Sequence, residues 1–521
     1  MRPFYLTTAI DYANGDPHLG HALEKVGADA IARYHRLAGR DVRFTMGMDE
    51  HGQKVQQEAE ARGVPPQQLV DEVAATFEHA WAALGISYDA FVRTTAPQHQ
   101  RGVRALIERI FDRNPDDFYE RAYEGWYCVG CEAFKTPEEI VDGRCELHPT
   151  RTLEWTAERN WFFRLSRYQP FLERLLRERP EFCQPESRRN ELLGLLAQGL
   201  EDVSASRARL AWGVPFPRPT SDGETQATYV WFDALPNYLT STGFPDGAWE
   251  APAGRWPAQL HVIGKDITRF HCVIWPAMLE AAGLPLPERV WAHGFMSADG
   301  QRFSKSAGVW VELGDAVARY GPDALRYYLL REIPFSGDGD FSWERFAERY
   351  TADLANAFGN LASRTVAMVE KYRGGVVPAA GAEALGASRA ADAADLAAYH
   401  AALDGTRGYV PNEALAALWR VVARANAEVQ ERQPWALAKD PARAGELGAV
   451  LHSAVRRLAV AAVCVWPAMP GAAERLWAQL GGPGAVEAQR FAHLDALDPA
   501  GWRVRKGAAL FPRDAAPSPA A

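Results

Sequence analysis

The chain has 521 residues, 47% of them hydrophobic and 24% charged, which is the profile of a globular protein of two to four domains with ample core. A formal net charge of −9 excludes a wholly basic nucleic-acid coat but leaves room for a local basic groove. The start MRPFYLTTAIDY lacks the basic and apolar regions of a secretory signal, and no apolar run reads as long enough to span a bilayer, so the expectation is a cytoplasmic protein with no membrane partner.

Residues 1–115 alternate strand and helix patterns. FYLTTAI is β-prone; Leu19, Leu23, Val26, Ala30 and Tyr34 then recur at helical spacing, and DVRFTMGM reads as the next strand. Strand, helix, strand implies parallel pairing through a right-handed crossover. Residues 116–225 break that rhythm and read as an insertion. Over 226–297, TYVWFDAL, AQLHVIGKD and RVWAHGFMS each contain a strand-like run, so α/β character resumes. Residues 298–345 open on the polar loop DGQRFSKSAG. From 346 to 500 long amphipathic patterns with few β-prone runs predict a helical bundle, with the alanine-rich 379–398 as a loop or weak helix. Residues 501–521 read as a tail ending in a disordered RDAAPSPAA. The expected fold class is α/β: a Rossmann-type parallel-sheet domain carrying an insertion, followed by an all-α bundle.

Of six cysteines, Cys183, Cys272 and Cys464 are scattered and read as buried small hydrophobes. The others cluster in WYCVGCEAFKTPEEIVDGRCELHP. Cys128-x2-Cys131 and Cys145-x2-His148 have the ligand number and type for tetrahedral zinc. Four protein ligands leave no open position, so the expected zinc, one per chain, is structural and holds a small insertion together.

DPHLGHA, residues 16–22, follows the first strand and opens a helix. Ligands of open α/β sheets bind beyond the carboxyl ends of the strands, and a helix N-terminus suits phosphate. His18 and His21, three apart, share one face of the first turn, where two imidazole donors can hold phosphate oxygens without a fixed charge. Gly20 lets a flat base approach the backbone. The plainer alternative is that both histidines only cap the helix.

HLGH resembles the HIGH signature of the class I aminoacyl-tRNA synthetases. Arg302-Phe303-Ser304-Lys305-Ser306 falls where that family carries its KMSKS loop, with Arg and Phe replacing the first Lys and the Met. Within the class, DYANGDPHLGHA, MGMDEHGQK, YVWFDALPNYL and GKDITRFHCVIWPAML are similar to motifs of the methionyl-tRNA synthetases, and the resemblance runs to about residue 500. It implies ATP-dependent attachment of L-methionine to tRNA(Met) through methionyl-adenylate, with Mg²⁺ accompanying ATP. It implies catalytic roles for His18, His21, Ser304 and Lys305, and places Gly20, Gly264, Lys265, Asp266 and Lys305 at ATP. Tyr12, Asp49, Trp231, Ala234, Tyr238, His271 and Trp275 would surround methionine. Asp49 would sit near the substrate ammonium, and its alternative is a helix cap; the alternative for the aromatic residues is plain core. The family's zinc knuckle corresponds to the cysteine cluster, and 298–345 to the KMSKS-like loop and a stem-contact region. GNLASR and ERQPWALAK place Asn360, Arg364 and Trp435 at the CAU anticodon, where unpaired bases are read by stacking and edge hydrogen bonds. A helix cap for Asn360 and bundle core for Trp435 are the alternatives. The C-terminal dimerising domain of some bacterial members is not seen, so a monomer is expected. Rival readings are another class I synthetase, a nucleotidyltransferase, or a tRNA-binding scaffold with a decayed site. The insertion is short for an editing domain, and the bundle is unexplained by a nucleotidyltransferase.

Overall fold

The computed structural model describes residues 3–513 except 14, 129–132, 136–138, 147, 209, 252–253, 299 and 303–310; for 123, 133–134, 148–151, 156–158 and 301–302 it describes the backbone alone. Its centre is a parallel sheet. The strands, in chain order, are β1 (Phe4–Thr8), β2 (Asp11–Tyr12), β3 (Val42–Asp49), β4 (Ala90–Arg93), β5 (Cys183–Gln184), β6 (Leu260–Gly264) and β7 (Val290–His293). The spatial order is β5-β7-β6-β1-β3-β4, every neighbour pair is parallel, and β2 continues β1 alongside the end of β3. Thr7 lies opposite His261 on one side and Thr45 on the other.

Side chains alternate across the pleat, so each strand feeds two cores. Phe4 and Leu6 pack with Phe44, Leu260 and Val262 beneath helix α1 (Leu19–Leu37), whereas Tyr5, Ile263 and Val290 pack on the opposite face against the helices Pro97–Arg113 and Trp275–Ala282. Chain order runs outward from β1 through β3 to β4, then returns to β6 on the other side. The switch point therefore lies between β1 and β6, and their carboxyl ends open the crevice where a ligand binds.

The expected insertion is less separate than its sequence implied. Strands Phe118–Cys128 and Glu154–Phe163 form a long antiparallel hairpin, but β5 from the same block pairs with β7 in the main sheet. A strand of two residues is too short to carry a periodic signal. YVWFDAL also differs from its strand-like reading: Ala227–Thr228 is a two-residue strand, and Val230–Ala234 is helical.

Beyond residue 342 the described structure is helical. Trp343–Arg349, the π-helical Tyr350–Gly359 and Asn360–Arg373 follow one another without a break. Ala382–Ala401, Pro411–Arg432, Ala444–Val465 and Pro470–Leu480 complete the bundle; the alanine-rich stretch is thus a helix. Helix 441–465 passes a bilayer test by length and composition, unlike the sequence expectation, yet 94% of that window is buried inside the protein, as in a core helix. Residues 501–513, expected as tail, pack on the bundle: Leu510 and Phe511 are buried, and Tyr350 donates to the Pro512 carbonyl. The rest of that tail lies outside the described residues.

Arg326, fully buried, ties the two parts together. It donates to Asp29 on α1 at 2.7 Å and to the carbonyls of Pro467 and Ala468 at 2.8 Å. Asp29 also accepts from Arg33 at 2.8 Å and from Ser87. Burial alone would raise the Asp29 carboxyl, but Arg33, Arg326 and Ser87 outweigh it and hold it at about 2.

Candidate active site

The histidine pair is both a cap and a site. His18 is the N-cap of α1: its Nδ1 accepts from Gly20 N–H at 3.0 Å and His21 N–H at 3.4 Å. His21 Nδ1 accepts in turn from His18 N–H at 3.2 Å, completing a capping box. Because both Nδ1 atoms are acceptors, each neutral ring carries its proton on Nε2. Burial, with His18 and Lys25 adding to it, pushes His21 well below the usual imidazole range, so this ring is a neutral donor. The rings stack at 3.8 Å. Gly20 is required for this arrangement, since a Cβ there would lie 2.8 Å from His18 Cε1.

Beneath them lies a charged group that the sequence reading missed. The buried Lys25 ammonium donates to the Ala9 carbonyl at 2.9 Å, to Asp11 at 2.9 Å and to Glu24 at 2.6 Å. Glu24 pairs through its other oxygen with His293 at the end of β7, 3.0 Å away. Burial lifts the Asp11 carboxyl to about 7 against the pull of Lys25. Asp11 and Lys25 look like ordinary strand-end and helix-surface charges in sequence, and only the fold brings them into one buried network.

Of the expected methionine residues, Trp231, Tyr238, His271 and Trp275 pack against one another. Tyr12 is opposite Asp49 in the β2–β3 register. Tyr238, buried, shares a 2.6 Å hydrogen bond with His271 Nε2, and His271 Nδ1 bonds the Ile267 carbonyl at 3.0 Å. Burial lowers His271 to about 4, so it is neutral; burial raises the Tyr238 hydroxyl far above its usual range, and the carboxylates of Glu24 and Asp49 add to this. Trp231 stacks on Phe270 at 3.7 Å and meets the edge of His271 at 6.3 Å. Trp275 is fully buried among Tyr238 and Trp256, and Ala234 is buried in the same short helix as Trp231. The turn bearing His271 is a π-helix, a form that recurs at functional sites.

At the end of β6, a Cβ on Gly264 would lie 2.7 Å from Asp266 Oδ1, so the glycine lets that carboxylate fold over the strand end. Lys265 pairs with Asp338 at 2.6 Å and lies over the Phe295 ring. Ser304 and Lys305 lie outside the described residues. Their flanks are described: Gln301–Arg302 pairs with Met296–Ala298, and Glu312 forms an antiparallel bridge with His18.

Cys128 and Cys145 are buried, and in antiparallel strand pairs Cys128 lies opposite Ala133 and Cys145 opposite His148. Cys131 and the His148 side chain lie outside what is described, and among the described residues no three His, Cys, Asp or Glu side chains gather as a metal set. In the bundle, Asn360 and Arg364 are one turn apart and half-buried, and the Arg364 guanidinium lies 5.7 Å over the Trp435 ring. Asn360 continues a helix rather than capping one.

A phosphate-suited histidine pair at the switch point of a parallel sheet, followed by a helical bundle, defines a class I aminoacyl-tRNA synthetase. The family model described as tRNA synthetases class I (M) matches residues 4–151 and 135–366. Relatives named methionine–tRNA ligase, from Caldanaerobacter subterraneus and Streptomyces coelicolor, are 41% and 40% identical; each comparison covers 98% of this chain, with 79% and 97% of the relatives. A solved structure of Mycobacterium tuberculosis methionyl-tRNA synthetase in complex with methionyl-adenylate superposes with a TM-score of 0.92 at 39% identity, covering 98% of this chain and 100% of the other. The chain belongs to the methionyl-tRNA synthetase family.

Proposed function

We propose that this protein joins L-methionine to tRNA(Met) in two steps, and that the crevice between β1 and β6 carries out both. First the methionine carboxylate attacks the α-phosphorus of ATP, forming methionyl-adenylate as pyrophosphate leaves. Then a ribose hydroxyl at the tRNA 3′ end attacks the adenylate carbonyl, and AMP leaves. The observation that carries the reading is the His18–His21 pair, whose Nδ1 atoms are committed to the helix N-terminus so that both Nε2–H groups are set as donors. Donors fixed before the reaction stabilise charge that grows on the phosphates without reorganising.

Asp49 receives the substrate ammonium. Tyr12, Trp231, Ala234, Tyr238 and His271 wall the side chain, for which polarizable sulfur–aromatic contact is favourable. A fully buried Trp275 backs that wall. Gly20, Gly264 and Asp266 border the nucleotide. Lys265 serves the phosphates after exchanging its Asp338 partner. Lys305, with Ser304, acts on the leaving pyrophosphate as a point charge; the bridge of Glu312, seven residues on from Lys305, to His18 supports this. Mg²⁺ bound with ATP would supply neutralisation of the phosphate charge.

The donor set Cys128, Cys131, Cys145 and His148 fits one structural zinc, and the antiparallel strand pairs at Cys128 and Cys145 support such a knuckle. Asn360, Arg364 and Trp435 read the anticodon, supported by the guanidinium–indole contact that offers two flat surfaces to unpaired bases.

ATP–pyrophosphate exchange over a panel of amino acids tests the reading. Exchange is expected with methionine alone; exchange with isoleucine or cysteine, or with none, overturns it.

A further inference from the structure

Three consecutive residues after the core of β3 leave in different directions. Asp49, largely buried, is paired with Tyr12 in the β2–β3 register. Glu50, fully buried, takes Arg93 at 2.5 Å and the Thr95 hydroxyl. His51, 3% exposed, turns the other way, and its Nδ1 donates to Asp233 at 2.6 Å. Asp233 lies in Val230–Ala234, between Trp231 and Ala234, and is itself fully buried. Its second oxygen accepts from His99 Nε2 at 2.9 Å, and His99 Nδ1 bonds Thr240 at 2.9 Å, on the helix that carries Tyr238. The carboxylate, fully buried, thus stands between two nearly buried imidazoles from the end of β3 and from helix Pro97–Arg113. Burial opposes its charge, but His51 and His99 outweigh that and hold Asp233 at about 2, so it is ionised throughout the working range.

We propose that the row His51–Asp233–His99 is a positioning device for methionine: it fixes the spacing between the strand end bearing Asp49 and the helical wall bearing Trp231, Ala234 and Tyr238. This rests on the methionine pocket assigned above. None of the three residues touches substrate. They act through Asp49 on one side and the aromatic wall on the other. The hydrogen bonds of the row run among its own members and to Thr240, and none of them goes to α1, β6 or β7, which border the nucleotide. The device therefore serves amino-acid binding selectively.

The test is steady-state ATP–pyrophosphate exchange with His51→Ala, Asp233→Asn, Asp233→Ala and Asp49→Asn, at varied methionine and varied ATP. His51→Ala and Asp233→Ala are expected to raise KM for methionine at least tenfold, with KM for ATP within twofold. Asp233→Asn, which keeps an acceptor and lets a neutral imidazole swap tautomer, is expected to fall between them and the wild type. The pair His51→Ala/Asp233→Ala should be no worse than the poorer single variant, since both break one link. Equal rises in both KM values, additive effects, or an unchanged methionine KM would each overturn the proposal. If Asp233→Ala does not fold, His51→Ala against Asp233→Asn gives the same comparison. Asp49→Asn separates the two levels: if it leaves methionine KM alone, the pocket itself is wrong; if it raises KM while the row variants do not, only the positioning device fails.

Discussion

Gly20→Ala isolates the catalytic edge of His18 from its capping edge. The new Cβ would lie 2.8 Å from Cε1 and 3.0 Å from Nδ1, so the ring must retreat to the 3.4 Å or more of ordinary contact. The retreat pulls Nδ1 away from Gly20 N–H and His21 N–H, which it now meets at 3.0 and 3.4 Å. Loss of an N-cap costs about 1 kcal/mol. Replacing glycine by alanine inside a helix returns about 1 kcal/mol. Thermal or urea melts should therefore agree with the wild type within about 1 kcal/mol. Chemistry should not: a hydrogen bond to a charged group is worth about 1.5–3 kcal/mol, so losing the Nε2–H from its place slows exchange about 10- to 150-fold. KM for methionine should stay within about twofold, because Asp49 and Tyr238 are untouched. Full exchange activity in a destabilised variant would refute the reasoning and leave His18 as a cap and nothing more.

Trp435→Ala should raise KM for tRNA in aminoacylation about 5- to 150-fold, the range of one lost base stack, and leave pyrophosphate exchange as it was; equal losses in both assays would mark the indole as bundle core. Purified protein should hold about one zinc per chain by elemental analysis, and Cys145→Ser should lose it and expose the 118–163 hairpin to limited proteolysis; a metal-free, protease-resistant wild type contradicts the knuckle. Asp29 is depressed from 3.8 to about 2. Its stabilising effect, about 2 kcal/mol, is thus present above pH 4 and disappears as the pH falls from about 4 to 2. Denaturation series at pH 6, 4 and 3 should show Asp29→Asn with a shallower acid slope than the wild type, and parallel slopes would contradict this.

Much of the catalytic half was legible because its signals are local. The 19–37 helix follows from apolar residues three and four apart, and HLGH from a four-residue pattern placed after a strand. The helices beyond 342 were legible for the same reason. What stayed hidden depends on contacts between distant positions. YVWFDAL is an apolar aromatic run, and such runs carry no period that separates a strand from a short buried helix. Asp233, His51 and His99 are individually unremarkable; their meeting needs β3, helix 97–113 and the turn at 230 in place at once. Lys25 sits at a helical position where lysine is normally solvated, and the acceptors that allow its burial include the Ala9 carbonyl between β1 and β2 and Asp11 on β2.

The position of β1 has a consequence for how the chain is made. Thr7 and His261 are neighbours in the sheet yet stand 254 positions apart. A ribosome adding about 5–20 residues per second leaves about 13–50 s between the emergence of one strand and of the other. Throughout that time β1 is a bare margin with unsatisfied amides and carbonyls, an invitation to pair with the wrong chain. The order in which the gene is read therefore leaves this margin in need of cover until β6 arrives.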